Sequence, residues 1–334
     1  MQGHDIIVVG ASAGGVKALK ELARGLPPDL PAAVFIVLHI PSAGPSLLPK
    51  ILNSSGPLRA RQAINGEVIE HGRIYIAPPD HHLLVNRDHV RIVRGPKENR
   101  MRPAADALFR SAAHAYGTRV VGVVLSGSLD DGTAGLAAIK RRGGLTVAQA
   151  PEDALYSGMP RSASENVALD HCLPLAGIAP LLARLASTPV KDDAIYPMSE
   201  ILKVETGIRR MEDSEMEGVE KIGELSAFTC PLWGALWELR DGDLLRFCYH
   251  VGRAFSAESP MADQAEALEN ALWAALRSLE QDAASARRMA ARARERNHTI
   301  SMTQFEENAR QMEQHAAVIR KALQNSEKPP VDER

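Results

Sequence analysis

Ile6-Ile7-Val8-Val9-Gly10-Ala11-Ser12-Ala13-Gly14-Gly15-Val16 is the stretch whose reading decides the fold. A short apolar run ends at Gly10, and Val16, Leu19 and Leu22 then recur at helical spacing. That pattern predicts a buried strand, a tight glycine-rich turn and an amphipathic helix. Further apolar runs at 33–38, 74–77, 120–125 and 145–148 read as strands, and 83–85 with 89–93 as a hairpin. Helical patterns cover 104–116, 132–142 and 178–185. Continuously apolar strands alternating with helices predict a doubly wound, mostly parallel α/β sheet, covered on both faces, over residues 1–188.

The chain changes character beyond that point. Residues 189–225 are rich in Glu, Asp, Lys and Ser and read as a linker. Residues 226–258 concentrate Trp233, Trp237, Phe247, Tyr249 and Phe255, and read as a small β-type aromatic module. Over 259–324 two apolar stripes follow helical spacing: Leu268, Leu272, Leu276, Leu279, Ala283 and Ala286, then Phe305, Ala309, Met312, Ala316, Ile319 and Leu323. Narrow stripes with charged flanks predict a helical hairpin or coiled coil. The preferred reading is that the two helices bury their stripes against each other; docking of a regulatory partner is the alternative. Ser301 with Gln304 reads as a capping box opening the second helix. The tail 325–334, with Pro329-Pro330, is expected to be disordered.

Composition narrows the function classes. The net charge of −2 comes from interspersed signs, which gives no support for a nucleic-acid partner. No run approaches the roughly 18 apolar residues of a membrane span, so no membrane insertion is expected. Residues 1–5 lack the positive start of a signal peptide. Three cysteines, Cys172, Cys230 and Cys248, fit a reducing cytoplasmic setting better than a disulfide framework.

In doubly wound sheets, functional groups gather outside the carboxyl ends of the strands. Ser12 follows the first strand, His39 ends the second, and Asp130 and Asp131 follow the strand at 120–125. A hydroxyl, an imidazole and a carboxylate on one edge make up a nucleophilic triad: the serine attacks, the histidine moves its proton, the carboxylate orients the ring. Spacing leaves Asp130 and Asp131 equally eligible. The segment Gly10-Ala11-Ser12-Ala13-Gly14 is also Gly-x-Ser-x-Gly, a strand–turn–helix junction that exposes the serine oxygen. The Ala13 N–H is the natural first donor to an oxyanion there. A phosphate-cradling turn is the rival reading. The segment is not G-x-G-x-x-G, however, and a histidine ends the second strand where a ribose would want a carboxylate. The hydrolase reading is preferred, with a non-catalytic signalling adaptor that keeps the fold as the alternative and nucleotide binding third.

These residues carry a family resemblance. The block at 5–16 is followed by Leu38-His39-Ile40-Pro41, by Tyr75-Ile-Ala-Pro-Pro-Asp80-His81-His82, by Arg102-Pro103-Ala-Ala-Asp106, by Leu125-Ser-Gly-Ser-Leu-Asp-Asp131-Gly132 and by Gly158-Met159-Pro160-Arg161. Six blocks in this order, over about residues 4–187, resemble the catalytic domain of chemotaxis protein-glutamate methylesterases, the CheB type. The resemblance implies a three-layer α/β hydrolase of glutamate methyl esters on methyl-accepting chemotaxis receptors, with glutamine deamidation as a second activity and no cofactor. It implies Ser12 as nucleophile, His39 as base and Asp131, directly before the glycine that opens the next helix, as the acid. It also implies a second oxyanion donor at the Ser128 N–H, where the family commonly has Met. Regulated members begin with a receiver domain. The first catalytic strand here starts near Asp5, so the expectation is a receiver-less chain controlled by other means.

The C-terminal part resembles an extension with a zinc-knuckle pattern, eroded here: Trp233 and Arg253 stand where a cysteine and a histidine would ligate. Structural zinc almost always takes four ligands, so Cys230, Cys248 and His250 predict a metal-free module. Asp80, His81 and His82 alternate between faces and are not expected to share an ion. His114, His171 and His250 read as ordinary packed or surface residues. Arg100, Arg102 and Arg161 read equally as contacts for an acidic receptor helix or as a solvated basic surface. Cys172 reads as a buried strand residue.

Overall fold

The structure is a computed structural model that describes residues 3–40, 46–190, 196, 223–230, 234–241, 244–248, 254–256 and 258–326. The chain divides into two compact units, Met1–Pro260 and Met261–Arg334.

The first unit is built around a main sheet of seven strands. In chain order its elements are β1 (Ile6–Ala11), α1 (Gly15–Gly25), β2 (Ala33–Leu38), α2 (Leu48–Asn53), β3 (Arg59–Gln62), β4 (Arg73–Ile76), β5 (His82–Val85), β6 (Val90–Val93) and α3 (Ala105–Tyr116). Then follow β7 (Val120–Val124), α4 (Thr133–Arg141), β8 (Leu145–Gln149), α5 (Gly158–Asn166), β9 (His171–Leu173) and α6 (Leu175–Ala186). The main sheet has the order β3-β4-β2-β1-β7-β8-β9 and every pairing in it is parallel. It is the doubly wound α/β sheet that the apolar runs predict.

Side-chain alternation assigns the two faces. Ile7 and Val9 of β1 join Leu19, Leu22, Ile178 and Leu182 in one core, under α1 and α6. Ile6 and Val8 join Leu108, Phe109, Leu136 and Ile139 in the other, under α3 and α4. A strand buried on both faces has no polar side to show, which is why β1, β2 and β7 read as unbroken apolar runs. The order of winding reverses beside β1, with β2 on one side and β7 on the other. In such sheets that reversal opens a crevice at the strands' carboxyl ends.

Three corrections concern single elements. Cys172 lies in β9 as expected of a strand residue, but β9 is the edge of the sheet and the thiol is exposed. Ser301 does not open the last helix, which begins at Thr299, so it lies within the first turn and no capping box forms there. Asn325 and Ser326 continue that helix rather than belonging to a tail.

The small module is a four-stranded antiparallel sheet, β10 (Glu224–Cys230), β11 (Gly234–Asp241), β12 (Leu244–Cys248) and β13 (Ala254–Ser256). Leu236, Leu239 and Phe247 are buried. Trp233, Tyr249, His250, Arg253 and the Cys230 side chain lie outside the described residues, as do nearly all of the expected linker and residues 327–334 of the tail.

Helices α7 (Glu258–Glu295) and α8 (Thr299–Ser326) follow. In the second unit they pair through Leu276, Ala316 and Leu323, with Leu272, Leu279 and Ile319 partly buried alongside. Among the described residues no helix is long and apolar enough to cross a membrane.

Candidate active site

Ser12 and His39 come to one edge because β1 and β2 run in register. Ala11 pairs with Leu38, so the next residue of each strand lies at the same level. The His39 N–H donates to Ala11 O at 3.1 Å, and the Ser12 N–H donates to Ser126 O at 2.9 Å. The second bond joins the serine turn to the loop after β7. Two glycines make the turn possible. Gly14 has φ 73°, a left-handed conformation that favours glycine, and a Cβ there would lie 2.7 Å from Ser126 Oγ. A Cβ on Gly10 would lie 2.6 Å from the Ala105 Cβ, so Gly10 lets α3 close down on the strand.

The loop at 126–129 is pinned from several sides. Ser126 Oγ donates to Ala13 O at 2.8 Å and accepts the Tyr156 N–H at 3.0 Å. The Gly127 N–H donates to Tyr156 O, and the Met159 N–H to Gly127 O, each at 2.9 Å. The Ser126 bond ties the loop that carries Ser128 to the turn that carries Ala13. Among the described residues neither the Ala13 nor the Ser128 N–H is used in an internal hydrogen bond.

His39 donates from Nε2 to Asp131 Oδ2 at 2.7 Å. Nδ1 is then the ring nitrogen left for chemistry. Among the described residues no hydrogen bond joins Ser12 Oγ to the ring; in substrate-free sites such a bond is often absent or long.

Asp131 is 2 % exposed and surrounded by donors. Oδ2 also accepts the Ala105 N–H at 2.6 Å, while Oδ1 accepts the Asp106 N–H at 3.1 Å and Asn99 Nδ2 at 2.9 Å. Burial alone would push its carboxyl up, but the bond and charge of His39 and the Ala105 and Asn99 donors outweigh it and hold the group below its usual value. Each bond to such a charge is worth about 1.5–3 kcal/mol, so four of them offset a large desolvation cost.

Two of those donors are the first amides of α3, where the helix dipole also favours a negative charge. The arrangement is reciprocal. Asp106, inside α3, accepts on Oδ1 the Gly132 N–H at 3.1 Å and the Gly135 N–H at 2.6 Å, at the start of α4. The start of α3 thus meets the carboxylate of Asp131, just before α4, and the start of α4 meets the carboxylate of Asp106 in α3. Asp106 responds differently from Asp131. Burial, and then the Asp131 charge, push its carboxyl up to about 6.

Asp130 is buried, and its carbonyl accepts the Thr133 N–H at 3.1 Å. Arg102 gives Nε and Nη2 to Asp80 Oδ1 and Nη1 to Gly95 O, so it is a structural clamp and not part of an open basic surface. His82 is fully buried and bonded through Nε2 to Pro96 O at 2.7 Å, a packing role. Among the described residues no group of three or more His, Cys, Asp or Glu is set to hold a metal. The sequence reading assigned no role to Asn99 or Asp106. Asn99 lies 32 residues from Asp131, and no local period points to it.

The comparisons with known proteins agree with one another. The family model described as CheB methylesterase matches residues 7–182. A protein-glutamate methylesterase/protein-glutamine glutaminase 5 from Anaeromyxobacter dehalogenans is 42% identical over 184 residues, 54% of this chain and 51% of that protein. A putative protein-glutamate methylesterase/protein-glutamine glutaminase from Leptospira interrogans is 38% identical over 183 residues, 54% of this chain and 95% of that protein. The crystal structure of the Thermotoga maritima CheB methylesterase catalytic domain is 33% identical with a TM-score of 0.53, covering 55% of this chain and 100% of that one. Against several longer relatives, 51% and 53% of the curated protein is spanned, about half its length. Fold, strand-end residues and sequence converge, and the chain belongs to the CheB methylesterase family.

Proposed function

We propose that this chain hydrolyses glutamate methyl esters on methyl-accepting chemotaxis receptors through a Ser12–His39–Asp131 triad, with deamidation of receptor glutamines as a second reaction of the same site. The observation that carries the reading is the His39–Asp131 hydrogen bond, on the strand end next to the one bearing Ser12. The names of the relatives supply the substrate class.

Ser12 Oγ attacks the ester carbonyl carbon while His39 Nδ1 takes its proton. The carbonyl oxygen gains the negative charge, and the Ala13 and Ser128 N–H groups are its donors. Asp131 stabilises the imidazolium from the Nε2 side. The tetrahedral intermediate collapses as His39 returns the proton to the leaving methoxide, and methanol departs. His39 then takes a proton from water, whose oxygen attacks the acyl carbon. Collapse breaks the bond to Ser12, leaves a free γ-carboxylate on the receptor glutamate, and returns the proton from His39 to the Ser12 oxygen. With a glutamine substrate the first leaving group is ammonia and the remaining steps are the same.

A cytoplasmic setting belongs to this proposal, supported by the small number of cysteines, with Cys172 as a free thiol. So does regulation by a partner on the C-terminal helices, where Trp273, Met289 and Val318 stay exposed. The test is mass spectrometry of methylated receptor after incubation with the full chain. Conversion of glutamyl methyl esters to free carboxylates, with methanol released in equal amount, is expected. Intact esters after incubation with folded protein contradict the proposal.

A further inference from the structure

Asn99 occupies an unusual place for a turn residue. Glu98 and Met101 exchange backbone hydrogen bonds of 3.1 and 2.7 Å, closing a two-residue hairpin turn around Asn99 and Arg100. Both central residues have positive φ, 44° and 68°. That is the signature of a type I′ turn, which favours Asn among its central residues. Connections of this kind normally face water. Here the tip points inward, and Asn99 is 5 % exposed.

The side chain explains the burial. Asn99 Nδ2 donates to Asp106 Oδ2 at 2.8 Å and to Asp131 Oδ1 at 2.9 Å. An amide nitrogen has two hydrogens, one for each carboxylate. Turned over, the amide would set its own oxygen against two acceptors, so its orientation is fixed. Asp106 is the anchor on both sides of Asp131: its Oδ2 holds Asn99, and its Oδ1 holds the Gly132 N–H, the residue after Asp131.

We propose that Asn99 is a positioning residue for the triad: anchored by Asp106, its amide holds Asp131 Oδ1 so that Oδ2 stays aligned on His39. The inference rests on the hydrolase reading above. Asn99 touches no reacting atom. It acts through Asp131, by preventing the carboxylate from rotating its two oxygens out of place.

The test is the rate of fluorophosphonate labelling of Ser12 in the full chain, followed against probe concentration. Asn99→Gly removes the amide and keeps the positive-φ turn. Asn99→Asp keeps shape and turn but puts an acceptor where the donor was. Both variants are expected to lower the maximal labelling rate by about tenfold or more, with the half-saturating probe concentration unchanged. Both are also expected to move the low-field proton signal of the His39–Asp131 hydrogen bond. If the turn were merely structural, the unfolding midpoint would fall while folded protein labelled at the full rate.

Should Asn99→Gly not fold, the isosteric Asn99→Asp and Asp106→Asn carry the same expectation. A labelled wild type with folded variants at the wild-type rate and an unmoved proton signal overturns the positioning role alone. A folded wild type whose Ser12 takes no label overturns the hydrolase reading, and this inference with it.

Discussion

The α/β unit and the helical pair are held together by different means. In the first, Ile, Val and Leu of the main sheet's inner strands are sealed between two helical layers, and the buried Asp131 carboxylate is met by hydrogen-bond donors. In the second, Leu276 and Leu323 are the large sealed side chains, and most of the remaining seam is alanine: Ala283, Ala290, Ala293, Ala309 and Ala316. Exposed ion pairs flank that seam, Arg287 with Glu313, Arg294 with Glu306 and Arg320 with Glu280. Alanine buries little area and exposed pairs add little, so the helices lean on a few leucines. The contrast teaches where precision is needed. The carboxylate proposed for the triad needs a scaffold stiff enough to aim four donors at one group, and the packed α/β unit provides it.

The sharpest way to break the comparison is at that carboxylate. Asp131→Asn keeps the shape but offers His39 an amide, which favours the wrong tautomer. A loss of about 10⁴ in kcat is expected, measured as methanol release, on the scale of triad carboxylate removal. Asp130→Asn is expected to leave kcat near wild type. Equal losses would show that the two aspartates have been distinguished wrongly.

Core truncation comes next. Leu19→Ala, inside the sheet's core, is expected to cost about 2–5 kcal/mol in urea unfolding of the α/β unit. Leu276→Ala is expected to fall near the lower end of that range, and to reduce helicity while ester hydrolysis persists. Loss of hydrolysis in the folded Leu276 variant would contradict the separation.

Titration of Asp106 sharpens the picture inside the first unit. Its carboxyl is pushed up from 3.8 to about 6 by burial and by Asp131; Arg110 and Arg246 pull it down and Glu98 pushes it up. A folded value above the ordinary one means that proton binding favours the folded state. That contribution is complete below about pH 4 and is lost as pH rises through about 6. Asp131 works in the opposite sense, its contribution being lost as pH falls. The stability of wild type minus that of Asp106→Asn is therefore expected to decrease between about pH 4 and 7, followed by urea unfolding at constant salt. A flat difference would contradict the shift.

The smallest effect lies in the helical pair. Arg287→Ala removes an exposed partner of Glu313 and is expected to cost about 0.2–1 kcal/mol, less at high salt.

The sequence made the buried middle of the molecule legible and its edges poorly so. Strands β1, β2 and β7 are apolar on both faces, so composition alone marks them. Strand β3, Arg59-Ala60-Arg61-Gln62, is an edge strand with charged side chains and carries no such mark. Helix α2 is too short for a period to emerge, and α5 opens on Gly158-Met159-Pro160. The exposed Cys172 has the same cause: three residues of β9 look like a core strand unless their position at the sheet's edge is known. At the site, strand ends brought Ser12 and His39 forward, and the family blocks separated Asp131 from Asp130. Asn99 and Asp106 act across long sequence distances through a turn and a helix start. The positive φ that marks the Asn99 turn is a property of the folded backbone and leaves no mark in the sequence.

The central claim is that Ser12 is the nucleophile and His39 with Asp131 its activating pair. Methanol release from methylated receptor by Ser12→Ala, measured beside wild type on protein shown to be folded, tests it most directly. The account predicts release by wild type and none above background by the variant. Full release by folded Ser12→Ala would contradict it.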